Sequence, residues 1–248
     1  MKKKIRIILM VFCLCIFCFS LYKVIDYFYG TYQTNRLVKE LHSQIKPDAG
    51  KTMTFKEKYE TLLKENSDMI GWIKIEDTVI DYPVMLTPNN EEYYLRLDFN
   101  KEYSWRGTPF LNKEADIENI SDNMIIYAHN MDDGTMFHDL EKFRDVNFYQ
   151  EHKTFTFDTI YHNGTYEIVA IFKTVDDPSH ELYIDYYRFF NIQDETVFNQ
   201  QIQKYKQMAF YDTGVTPEFG DKLLTLSTCE YSNKNGRLVL VARKVEEK

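Results

Sequence analysis

The sequence predicts an all-β-dominated fold with added helices, and three observations carry that prediction. Eight short β-type runs are bounded by turn signals, Asn163-Gly164 and Asn235-Gly236 mark hairpin turns, and helical spacing is confined to the N-terminus and one long interruption. Strands of this length fit an irregular β-barrel or sandwich. At 248 residues the chain suits one sizeable domain plus an appendage.

The appendage is N-terminal. Met1-Lys2-Lys3-Lys4-Ile5-Arg6 precedes an uncharged apolar run from Ile7 to Tyr22, closed by Lys23. That run is shorter than the roughly 20 residues a bilayer core needs, but Ile5, a snorkelling Lys23 and Val24-Ile25 extend it. A cleaved signal peptide is the competing reading, since it shares the basic start. No small-x-small cleavage site follows, because the run ends in Phe19, Leu21, Tyr22 and Tyr27. The expectation is an uncleaved, single-pass anchor within residues 1–30, its basic end in the cytoplasm and the rest of the chain outside. Cys13, Cys15 and Cys18 fill this apolar helix, with acylation as the alternative.

Charge narrows the partners. Of the 30 basic and 38 acidic residues, residues 1–30 hold five and one, which leaves 25 against 37 and a net charge of −12. Such a surface argues against nucleic acid, which needs clustered positive charge. Beyond the apolar run Cys229 is the lone cysteine, so the domain forms no internal disulfide and its thiol is available for chemistry.

Taken in order, Thr31 to Ile45 carries Leu37, Val38, Leu41 and Ile45 at helical spacing, and Pro47-Asp48-Ala49-Gly50 breaks it. Thr54-Phe55-Lys56-Glu57 has the form of a capping box and opens a second short helix through Glu65. Residues 31–66 thus read as a helical stalk packing on the domain, which spans residues 67–248. The β-type runs are Ile70 to Ile75, Thr78 to Val84, Gly107 to Leu111, Asn123 to Ala128, Lys153 to Asp158, Thr165 to Phe172, Lys222 to Thr228 and Gly236 to Lys244. Pro83 places the second at an edge or bend. Between Lys173 and Lys222, Asp194 is the N-cap of a helix over Glu195 to Met208, with Val197, Ile202, Tyr205 and Met208 or Ala209 along one face.

The chemistry gathers at Thr225-Leu226-Ser227-Thr228-Cys229 and Arg237. Cys229 ends one strand and Arg237 begins the next, and residues facing across a hairpin lie roughly 5 Å apart. A lone cysteine also packs well as a small hydrophobe, so burial and nucleophilicity compete as readings. Arg237 likewise reads as a surface arginine unless the thiol lies beside it. Among six histidines, His129 alone ends an apolar strand and opens a polar loop; a structural role is its alternative. An imidazole raises the thiolate fraction of a thiol whose unperturbed pKa is about 8.5, and it can protonate a leaving amine. A guanidinium supplies a fixed cationic fork to a developing oxyanion. Asp132-Asp133 and Asp176-Asp177 read as solvated turns, and no Cys/His spacing supports zinc, so neither a metal nor a cofactor is expected.

Thr225-Leu226-Ser227-Thr228-Cys229 resembles the TLxTC signature of the sortases, membrane-anchored cysteine transpeptidases of Gram-positive bacteria, and Arg237 fits their active-site arginine. Tyr127-Ala128-His129-Asn130-Met131, with Met136-Phe137-His138-Asp139-Leu140 behind it, resembles the histidine region of the class B branch. The likeness runs from about Asn66 to Val245. It implies an eight-stranded barrel with a helix inserted before the last two strands, and a catalytic set of Cys229, His129 and Arg237. It implies that Ser227, Thr228, Glu230, Tyr127, Tyr183, Ile184, Asn89 and Asn90 line the substrate groove, with core packing or solvent exposure as the alternative for each. In some members an acid stands two residues beyond the cysteine; Tyr231 stands there in this chain, so a Cys-His-Asp triad through that position conflicts with the sequence.

The implied function is cleavage of a surface-protein sorting signal after threonine through a thioacyl enzyme. Transfer to an amino group of a cell-wall precursor, of the lipid II type, would follow. Two rivals remain at this point. A hydrolytic cysteine peptidase on another fold would use the same Cys and His with water, although Cys229 lies C-terminal to His129, unlike the papain-like order. A non-enzymatic surface-binding domain would bury Cys229 as packing.

Overall fold

A strand buried on both faces has no reason to alternate apolar and polar residues, and the strand that carries Arg237 runs apolar without a break from Leu238 to Ala242. The computed structural model describes residues 2–47 and 53–245. In it, the strands close into a barrel in the order β1-β2-β3-β4-β7-β8-β6-β5. These are β1 (Met69–Lys74), β2 (Asp81–Met85), β3 (Phe110–Leu111), β4 (Asn123–Tyr127), β5 (Thr154–Thr159), β6 (Thr165–Val175), β7 (Leu223–Glu230) and β8 (Gly236–Val245). β5 returns to pair with β1, so closure leaves no free sheet edge. Two of the pairings are parallel, β2 with β3 and β4 with β7.

The eight expected runs are all present, with local differences that have physical causes. The second starts at Asp81, because Thr78 closes the preceding turn by donating to the Ile75 carbonyl (2.8 Å) and accepting from Ile80 N–H (3.0 Å). Pro83 is tolerated because β2 meets β3 only through Met85. The third shrinks to two residues because Gly107 sits at φ +62°, where a Cβ would lie 2.5 Å from the Tyr94 carbonyl oxygen. β6 runs three residues beyond Phe172, since Lys173, Thr174 and Val175 pair with Leu238, Arg237 and Gly236.

Among the helices, α1 (Lys2–Gln44) is continuous from the basic end through the apolar run, with no break at residue 30. It is long and apolar enough to cross a membrane, and its large apolar side chains from Ile5 to Tyr32 are exposed. The chain divides into two compact units, Met1–Ser43 and Gln44–Lys248. The expected break at Asp48-Ala49-Gly50 lies outside the described residues. Thr54 makes the expected capping box with Glu57, but the helix it opens is interrupted at Tyr59 into α2 (Phe55–Lys58) and α3 (Glu60–Glu65). After α4 (Val146–Glu151), α5 (Glu195–Met208) has the expected bounds, and Asp194 accepts from Val197 N–H at 3.0 Å.

The buried stripe of α5 is Phe198, Ile202 and Tyr205, an i, i+4, i+7 series. Val197, expected on that face, is turned about 100° away and is 53% exposed. The stripe belongs to a cluster that also holds Ile184, Tyr186 and Phe189 from the insertion and Ile125, Phe172, Leu223, Val239 and Val241 from four strands. Leu224, Leu226, Leu238 and Leu240 point to the opposite face and are also buried. The insertion therefore seals the outer face of β4-β7-β8-β6, the face on which Tyr127, Ser227, Cys229 and Arg237 stand.

Candidate active site

The β7–β8 register pairs Cys229 directly with Arg237. Directly opposed residues point to the same face of a sheet, so the thiol and the guanidinium stand side by side at the mouth of the hairpin. The turn that holds this register spans residues 231–235, with Asn235 in the left-handed region at φ 58°. A Cβ on Gly236 would lie 2.4 Å from the Glu230 carbonyl oxygen, so the second strand can start only with glycine.

His129 joins from the other side. β4 and β7 run parallel in a constant register from Asn123↔Leu223 to Tyr127↔Ser227. Beyond the last paired residues the two chains stay linked, by Ala128 N–H to the Ser227 carbonyl (3.2 Å) and Thr228 Oγ1 to the Ala128 carbonyl (2.8 Å). His129 follows Ala128 and Cys229 follows Thr228, so both residues stand just past these last cross-links between the two chains. The ends of three neighbouring chain segments thus carry His129, Cys229 and Arg237.

Each group has a defined setting. His129 Nε2 lies 2.9 Å from the Leu95 carbonyl oxygen, which only accepts, so Nε2 carries the proton and Nδ1 keeps its lone pair. Burial pushes the imidazole pKa below its usual value, the Leu95 contact acts against that, and nearby Arg96 adds to it. Cys229 is half-buried and reduced. Arg237, also half-buried, donates from Nη1 to the Gly236 carbonyl (3.0 Å). Near it, the buried Tyr186 hydroxyl lies 2.6 Å from Ser227 Oγ, and burial pushes the tyrosine up to about 12.

Among the expected groove residues, Ser227 and Tyr127 share the outer face with Cys229. Ile184 is buried in the cluster beneath that face, and Tyr183 is the half-buried residue before it. Asn89 and Asn90 are exposed in the turn that opens the 3-10 helix Glu91–Leu95, whose last residue binds His129. Thr228 and Glu230 point to the opposite face. Thr228 is committed to the Ala128 carbonyl, and Glu230 to Arg144 (3.1 Å) and to Ser232 N–H and Oγ. The position two beyond the cysteine, Tyr231, donates its hydroxyl to the Asn130 carbonyl (2.6 Å). Leu95 and Tyr186 carry no sequence expectation, and Asn130 stands in the histidine-region block without an expected role of its own. Strand alternation could have separated Thr228 and Glu230 from the others, whereas a backbone carbonyl such as that of Leu95 has no sequence signal.

The loop after His129 is fixed by a buried ion pair between Arg106 and Asp133, whose side chains are 4% and 5% exposed. This corrects the solvated-turn reading of Asp133, which also accepts from Thr135 Oγ1 (2.7 Å). Removing one partner of such a pair strands a charge in the interior, so Asp133→Ala should lower stability by about 3–5 kcal/mol. Denaturant unfolding would register this as a lower midpoint at unchanged m; a change under about 1 kcal/mol would show the pair to be dispensable. Among the described residues no group of His, Cys, Asp and Glu is arranged to hold a metal ion.

Comparison with known proteins places these features in a family. Residues 73–245 match the Sortase domain family. Sortase B of Listeria monocytogenes is 32% identical over 235 residues, which cover 93% of this chain and 92% of that protein. A sortase B solved in complex with triglycine superposes with a TM-score of 0.75 at 28% identity, over 88% of this chain and 98% of that one. The Staphylococcus aureus sortase B–substrate complex does so at 0.68 and 27%, over 86% and 92%. With its closed eight-stranded barrel, its inserted helix and its TLxTC strand, the chain belongs to the sortase family, in the sortase B branch of cysteine transpeptidases.

Proposed function

We propose that Cys229 is the nucleophile, His129 the proton carrier and Arg237 the oxyanion donor of this transpeptidase, acting on the sorting signal of a surface protein. The observation that carries this reading is the direct pairing of Cys229 with Arg237, with His129 two residues past the end of the strand that pairs with β7 on its other side. The neutral imidazole, disfavoured from charging by burial, accepts the thiol proton at Nδ1. Sulfur attacks the carbonyl carbon of the scissile bond after threonine, and Arg237 donates to the oxygen as charge develops. His129 returns the proton to the departing amine as the C–N bond breaks, which leaves a thioester. The amino group of a cell-wall precursor, of the lipid II type, then attacks that carbonyl. The amide forms, the C–S bond breaks and the thiol regains a proton.

The peptide would lie at the open end of the outer face, against the half-buried Cys229 and Arg237, with Tyr127 beside it and the buried Ser227 under it. The turn at Asn89 and Asn90 would form one wall, and the segment with Tyr183 and Ile184 the other. That a sortase B has been solved with a substrate and another with triglycine supports a groove that takes a peptide and an amine in turn. Thr228 and Glu230 shape the hairpin from its opposite face, and no cofactor enters any step. Residues 1–30 form the single-pass membrane anchor, with the catalytic domain, residues 67–248, outside the cell; the continuous apolar helix supports this. Protease added to wall-stripped protoplasts should remove the domain while the N-terminus stays protected, and intact protein after digestion would refute that topology.

The reaction itself is tested by incubating the full chain with a panel of sorting-signal peptides, with and without an added oligoglycine. A peptide cleaved after threonine and joined to the amine is the expected product. Cleavage that yields only the free acid at saturating amine would identify a hydrolase instead.

A further inference from the structure

The β4–β7 ladder stops two residues short of His129 and Cys229, and the side chain of Asn130 is the link that reaches the main chain of Cys229 itself. Asn130 follows His129 and is buried. Its Nδ2 donates to the Cys229 carbonyl (3.0 Å) and lies 3.3 Å from Glu141 Oε1, and its Oδ1 lies 2.9 Å from His138 Nδ1. The orientation of the amide is fixed by chemistry. A backbone carbonyl only accepts, so the nitrogen must face Cys229, and His138 Nδ1 must then be the donor to Oδ1. The main-chain carbonyl of Asn130 receives the Tyr231 hydroxyl (2.6 Å), from two residues beyond Cys229. Asn130 also bridges to Met136 across its own loop, and Phe137 N–H donates to the His129 carbonyl (2.9 Å).

We propose that Asn130 is a positioning residue that sets the separation of the imidazole and the thiol. This rests on the Cys229–His129 pairing proposed above. Where the β4–β7 ladder ends, the amide N–H supplies the cross-link that a third backbone pair would have made. The His138 contact stops the amide from rotating, and Tyr231 ties the outgoing turn to the same residue. Without the tie, the last link on the β4 side would be Thr228 to the Ala128 carbonyl, one residue short of both reacting groups. A displacement of about 1 Å between reacting groups can cost about 10²-fold in rate.

The test uses the full chain in detergent, with alkylation by iodoacetamide read at Cys229 by peptide mass spectrometry across pH, beside steady-state kinetics. His129→Ala defines the profile of a thiol that has lost its imidazole. Asn130→Ala should move the wild-type profile toward it and lower kcat by about 10²-fold, with KM for the peptide nearly unchanged. Asn130→Asp keeps the size and the oxygen facing His138 but sets a carboxylate oxygen against the Cys229 carbonyl, so it should fall as far. Tyr231→Phe, at an exposed position that tolerates the change, should shift the profile in the same direction by less. In the His129→Ala background none of the three should move it further. A lower melting temperature with the wild-type profile and kcat would make Asn130 a stability element only and overturn the proposal. So would equal shifts with and without His129. If His129→Ala itself leaves the profile unchanged, the pairing reading fails instead.

Discussion

Replacing Cys229 by alanine should abolish both thioacyl formation and transpeptidation while leaving the fold intact. Cys13, Cys15 and Cys18 lie in the apolar part of α1, so no other thiol of the barrel unit can substitute for the one removed. The cost to stability should be small, about 1 kcal/mol or less, because the side chain is short and only half-buried. What Cys229 contributes to the structure is its backbone: the pairing with Arg237 and the carbonyl that binds Asn130 both survive the substitution. Mass spectrometry of the protein after incubation with a sorting peptide supplies the readout. A persistent peptide adduct, or turnover above a trace, would remove Cys229 from the nucleophile role.

The eight strands were legible because the barrel wall is apolar and its turns carry strong signals, such as the left-handed Asn235 before Gly236. The hairpin also made the Cys229–Arg237 pairing legible, since an antiparallel register follows from its turn. His129 stood differently. Its proposed partnership with Cys229 depends on a parallel pairing between segments 100 residues apart, and no local pattern encodes such a pairing; the family resemblance points to it. The resemblance implies a groove position for Thr228 and Glu230, whereas the period of two in a strand sets both on the face opposite the thiol. Gly107 shows the reverse case. It opens the expected β-type run Gly107 to Leu111, yet the close approach of the Tyr94 carbonyl forces a left-handed turn that composition does not reveal.

Arg237→Ala should lower kcat by about 10² to 10³, equivalent to about 3–4 kcal/mol of transition-state stabilisation. One of the guanidinium donors is held by the Gly236 carbonyl at 3.0 Å, which fixes the planar fork at the start of β8. The pairing of Arg237 with Cys229 puts both side chains on one face of the hairpin, which is what an oxyanion donor for a carbonyl bound at the sulfur requires. Such a donor matters most when the carbonyl oxygen becomes negative, so the loss should appear in kcat more than in KM. Arg237→Lys should recover activity only in part, because an ammonium on a flexible stem cannot reproduce two fixed donors. The pH profile of Cys229 alkylation separates this role from a second one. An arginine that acted chiefly on the thiol would shift that profile when removed, whereas an oxyanion donor leaves it nearly in place and changes only turnover. Near-normal kcat for Arg237→Ala at saturating peptide would take Arg237 out of the catalytic set, and the Cys229–Arg237 register would then serve peptide binding alone.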